Sequence, residues 1–407
     1  MNKTPVGNRL HIAIFGRRNA GKSTLINALT DQEIAIVSDV AGTTTDPVYK
    51  TMELLPIGPV VIIDTPGLDD EGDLGELRIK KSYDVLRKSD FAIMVINAKY
   101  GITDFEDKFI KELKLRNIPS IIVYNKIDIL SISDKKIDET QKEYSISSIK
   151  VSAHEKTGIS ELKEFIGKNA KYDDSQINIV GDLISPGDFV VLVTPIDKAA
   201  PKGRLILPQQ QVIRDIIEND AIAVVTKEYE LKETLENLNK KPSLVITDSQ
   251  AFLKVSADTP MDIRLTSFSI LIGRQKGDLL KMVKGLNKIR ALKSASNVLI
   301  VEGCTHHRQA DDIGKVKIPR WIRQISGGDI NFQWASGTYF PEKINNFDLI
   351  VHCGGCMLNR REMLYRINYA EENLVEITNY GMLIAYVQGV LKRALEPFPA
   401  ALMLLED

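Results

Sequence analysis

Two stretches of the sequence gather residue types that do chemistry. The first is Gly16-Arg-Arg-Asn19-Ala20-Gly21-Lys22-Ser23, followed by Thr24. Glycines in such a loop let backbone N–H groups turn inward around phosphate oxygens. A helix starting behind the loop adds its dipole. Lys22 would bridge the β- and γ-phosphates of a nucleotide, and Ser23 would hold Mg²⁺. The second stretch is Cys304-Thr-His306-His307 together with His352-Cys353-Gly-Gly-Cys356. It holds all three cysteines of the chain and three of its five histidines.

Three thiolates and one histidine would close a tetrahedral zinc site. The same residues suit an iron–sulfur cluster, which is usually held by cysteine thiolates. A cubane on Cys304, Cys353 and Cys356 leaves one iron without thiolate. That iron is open to His306, His352, a carboxylate such as Glu302, water or an incoming ligand. Gly303, Gly354 and Gly355 leave room for close approach. From the residues alone, both metals stay open.

The elements around the first stretch decide its reading. Residues 11–15 are a buried-strand pattern, and a helical run over 24–29 follows the glycine loop, the context a phosphate loop requires. Residues 60–63 form a strand ending in Asp64-Thr-Pro-Gly67. Asp64 would hold Mg²⁺ through water, and the Gly67 N–H would meet the γ-phosphate. Residues 121–124 form another, ending in Asn125-Lys126-Ile-Asp128. The Asp128 carboxylate can accept two hydrogen bonds from the guanine N1–H and 2-amino group, which adenine cannot offer. Val151-Ser152-Ala153 ends a further strand and would back the base.

In this order the set resembles the translation-factor-related GTPases, in particular the Era and MnmE group. The resemblance implies that Gly42-Thr-Thr44-Thr-Asp46 is a switch motif, with Thr44 on Mg²⁺ in the GTP state. Leu68 stands where Ras-like enzymes place a water-orienting glutamine, so hydrolysis should be slow or rely on another element. Asn19 implies which one. In the resembling group an asparagine here, with a switch loop corresponding to residues 38–43, binds K⁺ beside the phosphates.

Strands alternate with helices along the whole chain, which predicts an α/β protein with parallel sheets. Three domains are expected. Residues 1–170 form the P-loop GTPase domain, a doubly wound sheet, with an exit linker at 168–176. Residues 177–260 form a small central α/β domain with no phosphate loop, suited to self-association. Residues 261–407 form a C-terminal α/β domain with strands at 267–272, 297–301, 331–335, 347–351 and 374–378. Both cysteine groups sit just past strand carboxyl ends, and they converge if the strands at 297–301 and 347–351 are neighbours.

Composition narrows the classes. Apolar residues make up 43% and charged residues 26% of 407, a globular profile with room for several cores. A formal net charge of −1 gives no basic face for nonspecific nucleic-acid binding. No apolar run approaches the ~20 residues of a membrane span, and no secretory leader is evident. A cytoplasmic protein without membrane or nucleic-acid partners is expected. An odd number of cysteines, two of them in C-x-x-C, reads there as metal or redox chemistry.

A GTPase domain followed by Cys-x-His, a gap of 45 residues and His-Cys-x-x-Cys resembles the HydF family of [FeFe]-hydrogenase maturation GTPases. The resemblance covers the whole chain. It implies a central dimerisation domain and a homodimer or higher homo-oligomer. It implies a [4Fe-4S] cluster on Cys304, Cys353 and Cys356 with an exchangeable fourth position, His306 and His352 being open between ligation and support. It further implies a scaffold and carrier that receives a diiron subcluster precursor built with two radical-SAM maturases and delivers it to apo-[FeFe]-hydrogenase. GTP, GDP, Mg²⁺ and K⁺ complete the cofactors. The rival readings are an RNA- or ribosome-associated GTPase with a zinc module, and an iron–sulfur redox-sensing GTPase.

Overall fold

The structure is a computed structural model that describes residues 4–30, 46–67, 73–170, 178–195, 205–303, 312–337 and 339–405. The chain divides into two compact units, Met1–Asp174 and Ser175–Asp407.

The first unit runs β1 (Leu10–Phe15), α1 (Lys22–Thr30), β2 (Val48–Leu54), β3 (Gly58–Asp64), α2 (Asp73–Lys88), β4 (Phe91–Asn97), α3 (Asp104–Leu115), β5 (Ser120–Asn125), α4 (Asp134–Tyr144), β6 (Ser148–Lys150) and α5 (Ile159–Asn169). Its six strands are ordered β2-β3-β1-β4-β5-β6. All neighbours are parallel except β2, which runs antiparallel to β3 at the edge. Helices on both faces explain why every residue of β1 is buried. Two apolar layers result. Ile12, Ile14, Ile93 and Val123 meet α1 and α5 on one side, and Ala13, Phe15, Met94 and Tyr124 meet the residues of α3 and α4 on the other. The crossovers start at strand carboxyl ends, and that edge collects the loops predicted to bind nucleotide.

The second unit continues with β7 (Phe189–Val193), α6 (Leu207–Glu218), β8 (Ile222–Thr226), α7 (Leu231–Asn237), β9 (Leu244–Thr247), α8 (Phe252–Asp258), β10 (Arg264–Ser267), α9 (Phe268–Lys276) and α10 (Leu279–Ala291). It ends with β11 (Asn297–Glu302), α11 (Ile318–Ser326), β12 (Asn331–Ser336), β13 (Leu349–His352), α12 (Arg360–Glu372), β14 (Glu376–Asn379), α13 (Tyr380–Val387), α14 (Leu391–Leu395) and α15 (Pro399–Met403). Two four-stranded parallel sheets form, ordered β10-β9-β7-β8 and β12-β11-β13-β14.

Two expectations change here. The run 267–272, read as a strand, is the start of α9. It is a short apolar run buried on all sides, and periodicity cannot separate a buried helix from a buried strand in so few residues. The Ser267 side chain decides the matter locally by capping α9, accepting from the Ile270 N–H at 3.3 Å. The strand lies just before it: β10 pairs with β9 and completes the middle sheet. A boundary at 260 would therefore cut that sheet. The two sheets also share one apolar core, in which Val190, Leu192 and Ile246 join Val298, Ile300 and Ile350 through α9 and α10. Residues 380–395 form two helices, α13 and α14, separated at Gly389, whose φ is +71°.

Among the described residues no helix is long and apolar enough to cross a membrane.

Candidate functional site

In the first unit the loop between β1 and α1 wraps its own lysine. Lys22 Nζ donates to the Gly16 carbonyl at 2.8 Å and to the Arg17 carbonyl at 3.0 Å, so the ammonium sits inside the ring of backbone that would surround phosphate. Two glycines make the ring possible. Gly16 has φ +148°, and a Cβ there would lie 2.4 Å from the Val95 carbonyl oxygen; Gly21 has φ +90°, and a Cβ would lie 2.3 Å from the Asn125 amide. Asn19 is exposed with φ +57°. Ala20 is buried beneath the loop, and Ser23 and Thr24 occupy the first turn of α1.

The Mg²⁺ side of the site is assembled. Ser23 Oγ donates to Asp64 Oδ2 at 3.1 Å. Burial lifts the Asp64 carboxyl above its ordinary range, while the Lys22 charge and the Ser23 hydroxyl pull it back. Thr65 fixes the segment after β3 by donating its hydroxyl to the Ile14 carbonyl at 2.7 Å. Gly67 then lies against the phosphate loop: a Cβ on it would meet the Arg18 nitrogen at 3.0 Å. Thr44, the loop 38–43 and Leu68 lie outside the described residues.

The base side is joined to the phosphate side by Asn125. Its Nδ2 donates to the Ala20 carbonyl at 3.0 Å, and its Oδ1 accepts from the Ala153 N–H at 3.0 Å. One buried side chain thus ties the phosphate loop to the segment expected to back the base. Lys126 follows with φ +67°. Ser152 Oγ donates to Asp128 Oδ1 at 2.6 Å and holds that carboxyl below its usual range, so Asp128 stays an acceptor. Sequence reasoning missed a further anchor. Arg17 donates to Glu106 at 2.8 Å, and Glu106, fully buried, also accepts from the Thr103 N–H at 3.0 Å at the start of α3. An arginine and a glutamate 89 positions apart carry no local signal of such a pairing.

In the second unit the predicted neighbours are neighbours. β11 and β13 pair in parallel, with Val301 opposite His352. Residue 303 therefore arrives beside residue 353, and the Gly303 N–H donates to Cys353 Sγ at 3.0 Å. The Gly355 N–H points at the same sulfur at 3.4 Å. Burial pushes the Cys353 thiol up to about 11, against the pull of these two N–H groups. A neutral thiol in this pocket is the species a soft metal would replace by thiolate. The turn is tight: a Cβ on Gly303 would lie 3.1 Å from Leu358 Cγ. Among the described residues no three His, Cys, Asp or Glu side chains converge on one point; Cys304 and His306 lie outside them. Glu302 is buried, with its carboxylate beside the Gly314 backbone and the Tyr380 hydroxyl.

His352 is fully buried and spoken for on both sides. Nε2 faces Arg366 Nη1 at 3.1 Å, and Nδ1 faces the Cys353 carbonyl at 2.7 Å. Arginine can only donate, so Nε2 is the acceptor and Nδ1 carries the hydrogen. Burial and the Arg366 charge push the imidazole down to about 3, so it is neutral. Arg366, itself fully buried, also donates from Nε to Glu362 at 2.8 Å and to the Gly337 carbonyl at 3.1 Å. This triad positions Cys353 from behind. Sequence reasoning missed Arg366 and Glu362, whose i,i+4 spacing on α12 reads as a surface pair. It also missed Lys276 at the end of α9. Lys276 is buried, and its Nζ donates to the Cys356 carbonyl at 3.0 Å and the Leu358 carbonyl at 2.5 Å. Burial lowers its ammonium to about 8 while the Cys356 sulfur pulls the other way.

Comparison with known proteins agrees with this division. A model described as 50S ribosome-binding GTPase matches residues 11–126. Models described as hydrogen maturase F dimerization domain and hydrogen maturase F tetramerization domain match residues 179–277 and 280–397. The first 170 residues or so are similar to the tRNA modification GTPase MnmE: 37% identical over 171 residues to that of Legionella pneumophila (strain Corby), covering 41% of this chain and 36% of the relative, and 36% identical over 158 residues to that of Aquifex aeolicus (strain VF5), covering 39% and 34%. The chain thus spans about a third of the length of these curated relatives. Among solved structures, Era in complex with MgGDPNP and a segment of 16S ribosomal RNA aligns at TM-score 0.37 and 22% identity, over 56% of this chain and 95% of that one. The two hydrogen maturase F models together span more than half of the chain, in the order that follows a P-loop GTPase domain, and the chain belongs to the hydrogen maturase F family.

Proposed function

We propose that the chain is a GTP-hydrolysing scaffold that binds a [4Fe-4S] cluster on Cys304, Cys353 and Cys356, accepts a diiron subcluster precursor, and delivers it to apo-[FeFe]-hydrogenase. The observation that carries the cluster reading is the β11–β13 register. It brings Gly303, the residue that precedes Cys304 in the sequence, to the Cys353 sulfur at 3.0 Å. The donor set fits a cluster: soft sulfur ligands, and backbone N–H groups aimed at sulfur. When bound, the cluster would supply an iron with an open position for a second metal unit. The chain's own residues orient and shield that position. Arg366 and His352 fix Cys353, and Lys276 fixes the turn after Cys356. Because His352 Nε2 already accepts from Arg366, the exchangeable fourth position falls to another group, His306 and Glu302 among the candidates.

In the first unit, Lys22, Ser23, Thr44 and Asp64 would hold the phosphates and Mg²⁺, and Asp128 with Ser152 and Ala153 would select guanine. Gly67 would report the γ-phosphate to the loop that follows it, so that hydrolysis gates partner exchange by ordering and releasing switch segments. Asn19, exposed on the phosphate loop, would ligate K⁺ beside the nucleotide. The dimerization and tetramerization models support a homo-oligomer. The radical-SAM maturases as precursor source and a cytoplasmic location complete the proposal. The direct functional test is transfer: protein carrying the precursor should restore hydrogen evolution to apo-hydrogenase, and Cys304→Ala should not. Equal restoration by the variant would remove the cluster domain from the function.

A further inference from the structure

The end of α9 buries an ammonium where the sequence gives no reason for one. Lys276 is 4% exposed. Its Nζ reaches across 80 residues of sequence to the Cys356 carbonyl, and to the Leu358 carbonyl two residues on. A buried positive charge is costly unless the fold places negative charge or polar groups against it. Here it lies on the turn that sets the Cys356 sulfur, where thiolate ligation would bring negative charge into the pocket. The Cys356 side of the pocket differs from the Cys353 side. Backbone N–H groups meet both sulfurs, but Cys353 has Arg366 behind His352, whereas the turn after Cys356 is gripped through its carbonyls by a buried lysine.

We infer that Lys276 is the positioning residue for Cys356 in the cluster site: it clamps the 356–358 turn and offsets the negative charge that thiolate ligation brings into the pocket. This inference rests on the cluster reading above. Both roles favour the metal-bound state over the metal-free state, and the charge favours the more reduced, more negative cluster. Removing the charge moves the reduction potential to more negative values. A merely structural lysine behaves differently, because its loss weakens the metal-free fold and leaves the potential alone. Methionine removes both the charge and the donor to the Cys356 and Leu358 carbonyls, whereas glutamine keeps a donor and loses only the charge, which separates the two cases.

The test uses the full chain as purified, with and without anaerobic reconstitution by iron and sulfide. It compares wild type, Lys276→Met and Lys276→Gln. For the metal-free proteins the reading is thermal unfolding. For the loaded proteins it is iron lost to a chelator over time and the midpoint potential from a spectroscopic redox titration. The expected result is Lys276→Met unfolding modestly below wild type when metal-free, losing iron several-fold faster, and titrating at a more negative potential. Lys276→Gln, which can still donate to both carbonyls, should retain iron better than the methionine variant but share its shifted potential. Wild-type iron retention and potential in both variants would overturn the inference. So would a metal-free Lys276→Met that unfolds far below wild type while both loaded variants keep the wild-type potential, which would make the lysine's role structural only. Wild-type protein that takes up no iron would instead overturn the cluster reading itself.

Discussion

The Gly303 backbone N–H donates to the Cys353 sulfur at 3.0 Å. Fifty residues separate the two, and the contact exists because β11 and β13 pair in parallel with Val301 opposite His352. The ends of β11 and β13 meet at the carboxyl edge of one sheet, where an open α/β fold gathers its ligands.

His352 should be a support and not a cluster ligand, since its Nε2 accepts from Arg366 and its Nδ1–H donates to the Cys353 carbonyl. His352→Ala is expected to lower stability while the folded protein keeps wild-type iron per chain after reconstitution. Arg366→Met should cost more, about 3 kcal/mol or above, because it strands the buried Glu362 carboxylate. Denaturant unfolding of the metal-free proteins, paired with iron analysis, checks both.

Guanine selection should follow the Asp128 carboxylate, held as an acceptor by the Ser152 hydroxyl. Asp128→Asn replaces one acceptor oxygen by a donor and loses charge-assisted bonds to the base. GTP binding should weaken about 100-fold. Xanthosine triphosphate, which carries an oxygen in place of the 2-amino group, should bind the variant better than GTP does. Nucleotide titrations with both ligands give the answer, and a variant that still prefers GTP would refute the role.

The phosphate-loop asparagine makes hydrolysis a cation question. GTP turnover should run several-fold faster in K⁺ than in Na⁺ at equal ionic strength, and Asn19→Ala should erase the difference. Equal rates of the wild-type protein in the two salts would remove K⁺ from the account.

Self-association should use the edge of the middle sheet. β8 is its outermost strand, and Ile222 and Val225 on it are each nearly half exposed. An edge strand with apolar side chains is a template for pairing, and lysine blocks it. Ile222→Lys/Val225→Lys should reduce the assembly to a smaller species in light scattering, with GTP hydrolysis intact. An unchanged mass would place the interface elsewhere.

The nucleotide half of the site was legible because its chemistry is local. Gly16, Gly21, Lys22 and Ser23 lie within one loop, and the loop's conformation follows from its glycines. Asp64 and Asn125 could be placed because each ends a strand whose apolar run is plain, and Asp128 lies in the turn that follows Asn125. The meeting of Cys353 with Gly303 was readable only as a condition, since strand order is a tertiary fact. Residues 267–272 misled because a fully buried helix and a fully buried strand share one apolar signature. Lys276, Arg366 and Glu106 were illegible for a common reason. A charged residue in sequence looks solvated, and its burial is decided by partners 80, 14 and 89 positions away.

Metal analysis tests the central claim most directly. Protein purified without oxygen and reconstituted with iron and sulfide should hold about four irons and four sulfides per chain, with little zinc, and Cys353→Ala should hold markedly less. Zinc in the wild-type protein without iron, or equal iron in the variant, would contradict a cluster built on the meeting of β11 and β13.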